Sequence, residues 1–306
     1  MTDRPPVAAG DRTALARLLS QVERGTAEAP AEDGAAYVVG ITGAPGAGKS
    51  TLTNALLRVA RDRDERVAVL AVDPTSPFTG GSILGDRLRM QDHATDDGVF
   101  IRSMATRGHV GGLALAVPDA VRVLAAAGWP WIIVETVGVG QVEVEIAGRA
   151  DTCVVVVNPG WGDAVQASKA GLMEIGDIFV INKADRDGAA QTRHDLASIL
   201  ELTDRRPPIL DAVATDGRGL TELWAAIAEH RAAIEVSGEL ARRRAARRVD
   251  ELRSLVSRRL ERLARAAAGD DAWRAAEDDV AAGELTPAAA ADRLLASLRA
   301  GDVPGA

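Results

Sequence analysis

Lysine is almost missing from this sequence. Of 36 lysines and arginines only Lys49, Lys169 and Lys183 are lysine. A position that keeps an ammonium where arginine has taken nearly every other place points to a need for a compact charge on a flexible stem, not a planar fork. Cysteine is reduced to Cys153, inside the apolar run 152–157. That excludes disulfides and cysteine-built metal centres, and the thiol reads as a small buried hydrophobe. The four histidines, at 93, 109, 194 and 230, form no ligand-spaced pair, which argues against a nickel-insertion protein. The four methionines do not cluster, which argues against a protein-targeting surface. Aromatics are only 3% of the chain, so the core has to come from Ala, Val, Leu and Ile. No apolar run approaches the roughly 18 residues that cross a bilayer, and the polar, proline-rich start has no apolar signal core; the expected location is the cytoplasm. A net charge of -8 disfavours nucleic acid as a partner.

What is present is an alternation. A first helix is expected over 11–23. From residue 37 short apolar runs follow one another at 37–42, 66–72, 99–102, 131–135, 152–157, 178–182 and 208–213. Helical patterns fall between most of them, as at 49–62, 113–127 and 187–202. Strands apolar throughout are buried on both faces, which predicts an α/β fold with a doubly wound, mainly parallel sheet flanked by helices. The expected organisation is an N-terminal helical extension (1–35), a nucleotide-binding domain (36–234) and a C-terminal helical extension (235–306). In the last of these, Val249, Leu252, Leu255, Val256, Leu260 and Leu263 stripe one arginine-rich helix. Such a stripe suits either a packed inner face or a dimer seam.

Gly43-Ala44-Pro45-Gly46-Ala47-Gly48-Lys49-Ser50-Thr51 follows the first run and opens a helix. This is the G-x-x-x-x-G-K-[ST] pattern in its required context. Its glycines let backbone N–H groups turn toward phosphate oxygens, and the helix N-terminus adds its own dipole. Lys49 is expected on the β- and γ-phosphates and Ser50 on Mg²⁺. Asn182-Lys183-Ala184-Asp185 matches N-K-x-D. A carboxylate at Asp185 can accept from guanine N1–H and N2–H₂, a donor pair that adenine lacks, so the nucleotide is GTP/GDP. The segment Val213-Ala214-Thr215-Asp216-Gly217-Arg218-Gly219 stands where GTPases place S-A-x-x-G-x-G; Val213 replaces the usual Ser, and the Ala214 N–H is expected on guanine O6. Glu135-Thr136-Val137-Gly138 stands where GTPases carry D-x-x-G, with Glu135 toward Mg²⁺ and Gly138 toward the γ-phosphate. Val139 then occupies the place of a water-orienting Gln, so hydrolysis by the isolated chain is expected to be slow. Gln141 lies close by.

Further stretches carry a resemblance. Asp73-Pro74-Thr75-Ser76-Pro77, the segments 78–87 and 100–108, and Glu135-Thr136-Val137-Gly138-Val139-Gly140-Gln141 closely resemble the MeaB/ArgK family of P-loop GTPases, over roughly residues 11–300. The resemblance implies a GTPase of the dimerising class shared with signal recognition particle and nickel-insertion GTPases, hence a homodimer. It implies a chaperone for an adenosylcobalamin-dependent acyl-CoA mutase, usually methylmalonyl-CoA mutase, gating cofactor delivery from an adenosyltransferase and protecting the mutase. Matched position by position, it puts Asp73, Asp86 and Glu135 around Mg²⁺ and the attacking water. It also makes 160–169 a mobile segment coupled to the mutase, with Lys169 facing the nucleotide. Arg102 or Arg107 could act as a charge-stabilising finger. A scaffold that binds GTP without turnover is the alternative of a different class. A transport-linked kinase would need an acceptor pocket and base for which no element stands out.

Overall fold

Neighbouring residues of one strand serve different cores here, and that division builds the molecule. In the computed structural model the described residues are 10–30, 35–73, 93, 95–105, 112–136, 149–160, 173–202 and 205–300. The elements are α1 (Arg12–Glu23), β1 (Tyr37–Gly43), α2 (Lys49–Arg61), β2 (Val67–Asp73), β3 (Val99–Ala105), α3 (Gly112–Ala126), β4 (Trp131–Thr136), β5 (Thr152–Val157), β6 (Ile178–Asn182), α4 (Ala189–Leu200), β7 (Ile209–Ala212), α5 (Leu220–Val236), α6 (Glu239–Ala268), α7 (Asp270–Ala281) and α8 (Pro287–Ala300). Every residue of β1 is buried. Because side chains alternate across a strand, Tyr37, Val39 and Ile41 join a core with α2 and α5. Val38 joins another, with Leu15, Leu19 and Val22 of α1 and Val117, Ala120 and Leu124 of α3. The same alternation sends Val154 and Val156 to the first core and Val155 and Val157 to a third, under Leu196 and Leu200 of α4.

The strands form one seven-stranded sheet in the order β3-β2-β4-β1-β5-β6-β7, every pair parallel. The strand ends that carry the sequence motifs, β1, β4 and β6, therefore all lie at the sheet's carboxyl edge, where such sheets bind ligands. Strand β3 runs three residues past its expected end, because Ser103, Met104 and Ala105 pair with Ala71, Val72 and Asp73.

Register at the opposite edge is set by two buried carboxylates. Asp151 precedes β5; its N–H donates to Val38 O at 2.8 Å and its Oδ2 accepts the Val38 N–H at 2.9 Å. Asp177 precedes β6 and repeats the arrangement one strand over, its N–H on Cys153 O at 2.8 Å and the Cys153 N–H on its Oδ2 at 2.9 Å. Each side chain stands in for a missing ladder rung, as buried backbone N–H groups require. Arg205 donates to Asp177 Oδ1 at 2.6 Å. From α5, His230 Nδ1 meets Thr152 Oγ1 at 2.8 Å, and Thr152 Oγ1 meets the Tyr37 hydroxyl at 2.6 Å. The next residue, Arg231, lies over Trp131 at 4.8 Å and over Tyr37 at 5.0 Å. Tyr37 and Trp131, two of the scarce aromatics, thus help clamp α5 to the sheet.

Helix α1 packs in the second core, with α3. Asp11 caps it by accepting the Ala14 N–H at 2.8 Å. Arg102 of edge strand β3 donates to Glu23 Oε2 at 2.9 Å and Ser20 Oγ at 3.0 Å, and Arg12 donates to Val99 O at 2.7 Å.

The chain forms two compact units, up to Ala241 and from Arg242 onward. In the second, α7 and α8 are joined by Arg293 on Asp279 at 2.9 Å. Thr286 caps α8 by accepting the Ala289 N–H at 3.2 Å. The α6 stripe is exposed in this single chain: Val249 is 47%, Leu252 60% and Leu260 50% accessible. No helix of the described residues is long and apolar enough to cross a membrane.

Burial pushes the Tyr37 hydroxyl up from 10.0 to about 12; the Thr152 hydrogen bond opposes that rise and the carboxylates of Asp151 and Asp177 add to it. The folded chain thus holds this proton more tightly than the unfolded one. The stability it contributes is complete below pH 10 and is lost as the pH climbs toward 12. Tyr37→Phe should flatten that alkaline loss in urea midpoints measured across the range. A slope as steep as in the parent would assign the loss to other groups.

Candidate nucleotide site

Strand β1 delivers the chain into the phosphate loop through Gly43, at φ +135; a Cβ there would stand 2.0 Å from Val156 O of β5. The loop returns through Gly48, at φ +91, where a Cβ would lie 2.4 Å from Asn182 Nδ2. Both positions admit only glycine. Gly48 caps α2 without a side-chain hydrogen bond, so the first N–H groups of the helix face the loop's hollow. Lys49 opens α2 and is only 6% exposed. Its Nζ donates to Gly43 O at 2.6 Å and Ala44 O at 3.1 Å, which holds the ammonium under the loop.

Ser50 follows, and its Oγ donates to Glu135 Oε1 at 2.5 Å. Glu135 lies near the end of β4, in register with Ile41 of β1, and is 1% exposed. A hydroxyl and a buried carboxylate in contact are hard oxygen donors of the kind Mg²⁺ takes alongside phosphate oxygens and water, so the donor set fits that ion. The next residue, Thr136, donates to Thr42 Oγ1 at 3.3 Å and ties the base of the phosphate loop to this strand end. Asp73 closes β2, its backbone paired with Ala105. Asp86, Gly138 and Lys169 lie outside the described residues, as do Arg107, Val139 and Gln141. Arg102, weighed as a charge-stabilising finger, is instead engaged by α1 through Glu23 and Ser20.

Asn182 ends β6 and is buried. Its Nδ2 donates to Ala47 O in the phosphate loop at 2.8 Å, and its Oδ1 accepts the Ala214 N–H in the base loop at 3.2 Å. Lys183 takes the left-handed conformation, φ +60, and reaches back so that Nζ donates to Gly46 O at 2.7 Å. Asp185 then stands at a pocket lined also by Thr51, Lys183, Ala214 and Thr215. The two motifs, far apart in sequence, therefore border one pocket. The Ala214 N–H expected on guanine O6 is already shared with Asn182, so O6 competes for an occupied donor. The loop that lost its serine is held by its backbone: Val213 N–H donates to Arg218 O and Gly217 N–H to Val213 O, both at 3.0 Å. The Arg218 backbone N–H and then its guanidinium hold the Asp216 carboxyl below the usual carboxylate range.

The chain is similar to known proteins. A family model described as "Methylmalonyl Co-A mutase-associated GTPase MeaB" covers residues 16–269. The chain belongs to this family. It is 55% identical over 262 residues to a GTPase-named protein of Pyrococcus abyssi, covering 81% of each chain. It is 42% identical over 223 residues to GTPase ArgK of Escherichia coli, covering 70% of this chain and 67% of that one. It is 34% identical over 272 residues to the mitochondrial methylmalonic aciduria type A homolog of Mus musculus, covering 86% of this chain and 66% of that one. The crystal structure of an LAO/AO transport system kinase superposes with a TM-score of 0.70 at 28% identity, covering 95% of this chain and 94% of that one. As a MeaB-family GTPase, the chain binds guanine nucleotide and hydrolyses GTP.

Sequence reasoning missed the bridging role of Asn182 and the Thr42–Thr136 pair. The N-K-x-D spacing signalled the first residue without its partners; nothing in the sequence signalled the second pair. Asn182→Ala would leave the Ala47 carbonyl and Ala214 N–H without this bond. Each orphaned group costs about 1–3 kcal/mol, so the variant should melt several degrees lower and bind GDP at least tenfold more weakly by calorimetry. Parent-like GDP affinity would refute the bridge as a support of the site.

Proposed function

We propose that this GTPase is a chaperone that gates cofactor loading and protects an adenosylcobalamin-dependent acyl-CoA mutase, with methylmalonyl-CoA mutase as the first candidate. The observation that carries this reading is the match of a mutase-associated family model to residues 16–269, supported by the likeness to a protein named for methylmalonic aciduria. An adenosyltransferase is a fitting second partner, as the source of the cofactor.

In this reading the residues divide the work. Gly43 to Thr51 enclose the phosphates by their N–H groups, and Lys49 turns from the Gly43 and Ala44 carbonyls toward the β- and γ-phosphates. Ser50, Glu135 and Asp73 hold Mg²⁺. When bound, that ion offsets charge developing on the phosphate oxygens. Asp86 serves with Asp73 and Glu135 around Mg²⁺ and the attacking water, and Gly138 senses the γ-phosphate. Asp185 selects guanine, with Lys183 along the base. Lys169 couples the nucleotide to the mutase. Val139, in place of a water-orienting Gln, leaves turnover slow until the partner completes the site. The exposed α6 stripe suits a helix–helix seam between two copies, hence a homodimer. The same Val139 favours the second reading, a scaffold that holds GTP without turnover.

Asp185→Asn should transfer preference from guanine to xanthine nucleotides, read as Kd for GDP against XDP; retained GDP selectivity would remove Asp185 from base reading. GTP turnover should be slow alone and rise severalfold, to saturation, as purified methylmalonyl-CoA mutase is titrated in. Lys169→Ala should keep the slow basal rate and lose most of that rise. A response equal in parent and variant counts against the coupling role, and no response at all favours the scaffold or a different mutase.

A further inference from the structure

Two arginines lie in the chain segments of the base half, one of them lining the pocket, and their surroundings differ. Arg218 is pinned: its Nε and Nη2 both lie 2.8 Å from Asp216 Oδ2, and its N–H donates to Asp216 Oδ1 at 3.1 Å. Arg186 directly follows Asp185 and lines the same pocket. Its backbone N–H closes the turn onto Lys183 O at 3.0 Å. Its guanidinium has no hydrogen bond, ion pair or ring contact among the described residues, and the residue is exposed.

The chemistry of the pocket narrows what that guanidinium can do. One side is given by the Lys183 stem, stretched by its bond to Gly46 O. The other residues at the base end, Val213, Ala214 and Thr215, are small or aliphatic. None has a planar group that could cover an aromatic ring. The guanine edge facing Asp185 consists of N–H donors, and arginine also only donates. Arg186 therefore cannot hydrogen-bond beside its neighbour on that edge, whereas a planar guanidinium can lie on the face of a purine.

We propose that Arg186 is a nucleotide-contacting residue, its guanidinium stacked on the guanine base and strengthening the binding of GTP and GDP alike. The proposal rests on the guanine reading of Asp185, and the experiment separates the two. Calorimetry is run with GDP and with a non-hydrolysable GTP analogue on the parent, Arg186→Ala and Arg186→Lys, and with XDP on Asp185→Asn with and without Arg186→Ala. Arg186→Ala should raise Kd about two- to fivefold, the scale of an exposed cation–aromatic contact, by the same factor for both guanine nucleotides. Arg186→Lys should fall between. The same factor should appear with XDP in the Asp185→Asn background, since stacking ignores the edge. Unchanged Kd in Arg186→Ala, with Asp185→Asn still transferring preference to XDP, overturns stacking and leaves the guanine reading intact. A loss confined to the triphosphate overturns it in favour of a phosphate contact. Failure of Asp185→Asn to transfer preference removes the reading on which the proposal stands.

Discussion

One side-chain amide joins the two halves of the nucleotide site. Asn182 gives its Nδ2–H to Ala47 O and takes the Ala214 N–H on its Oδ1, so the phosphate loop and the base loop hang from one residue at the end of β6, one strand in from the β7 edge of the sheet. The bridge works because both partners are backbone atoms of loops that have no ladder of their own, and because the amide is buried. A buried amide offers a donor and an acceptor in fixed opposition; a carboxylate or a lysine at this position could satisfy only one side. The glycine at 48 is a consequence, since any Cβ would occupy the place of that amide.

The sheet supports this joint by the same device on a larger scale. At its carboxyl edge the strands end in loops that bind; at its amino edge Asp151 and Asp177 replace ladder rungs with side chains. The second of these feeds a polar chain through Arg205, and Tyr37, Thr152 and His230 form another beside it. Few aromatics are available, and Tyr37, Trp131 and Trp224 lie together where α5 crosses the sheet, Trp131 and Trp224 at 5.0 Å and Tyr37 and Trp131 at 5.4 Å.

The fold was readable because its signals are local. Strands apolar on both faces announced a parallel sheet, and Gly43–Thr51 announced where the first strand ends. Edge strand β3 was read short because the polar Arg102 and Ser103 follow one another, which ended the run at 102; the pairing of 103–105 depends on β2, and Glu23 and Ser20 of α1 hold the arginine. The sequence marked Lys49 as the expected phosphate lysine, but its resting partners were not legible, since Gly43 and Ala44 offer carbonyls that every residue has. The same limit hid Asn182, whose two partners are backbone atoms of distant segments. Arg102 was no more legible, since its partners Ser20 and Glu23 lie in α1, far away in sequence.

Helix α5 begins immediately after the base loop, at Leu220, and its far half is locked to the opposite edge of the sheet through His230 and Arg231. It is a strut with one end at the loop proposed to hold the purine. GTP and GDP present the same purine, so every contact the strut stiffens binds them equally. A ligand shifts a conformational balance only by the difference in its affinity for the two states. The base half of this site can therefore fix residence time and selectivity but cannot itself tell the two nucleotides apart. That distinction has to arise at the phosphate end, from contacts a single phosphoryl group makes or loses.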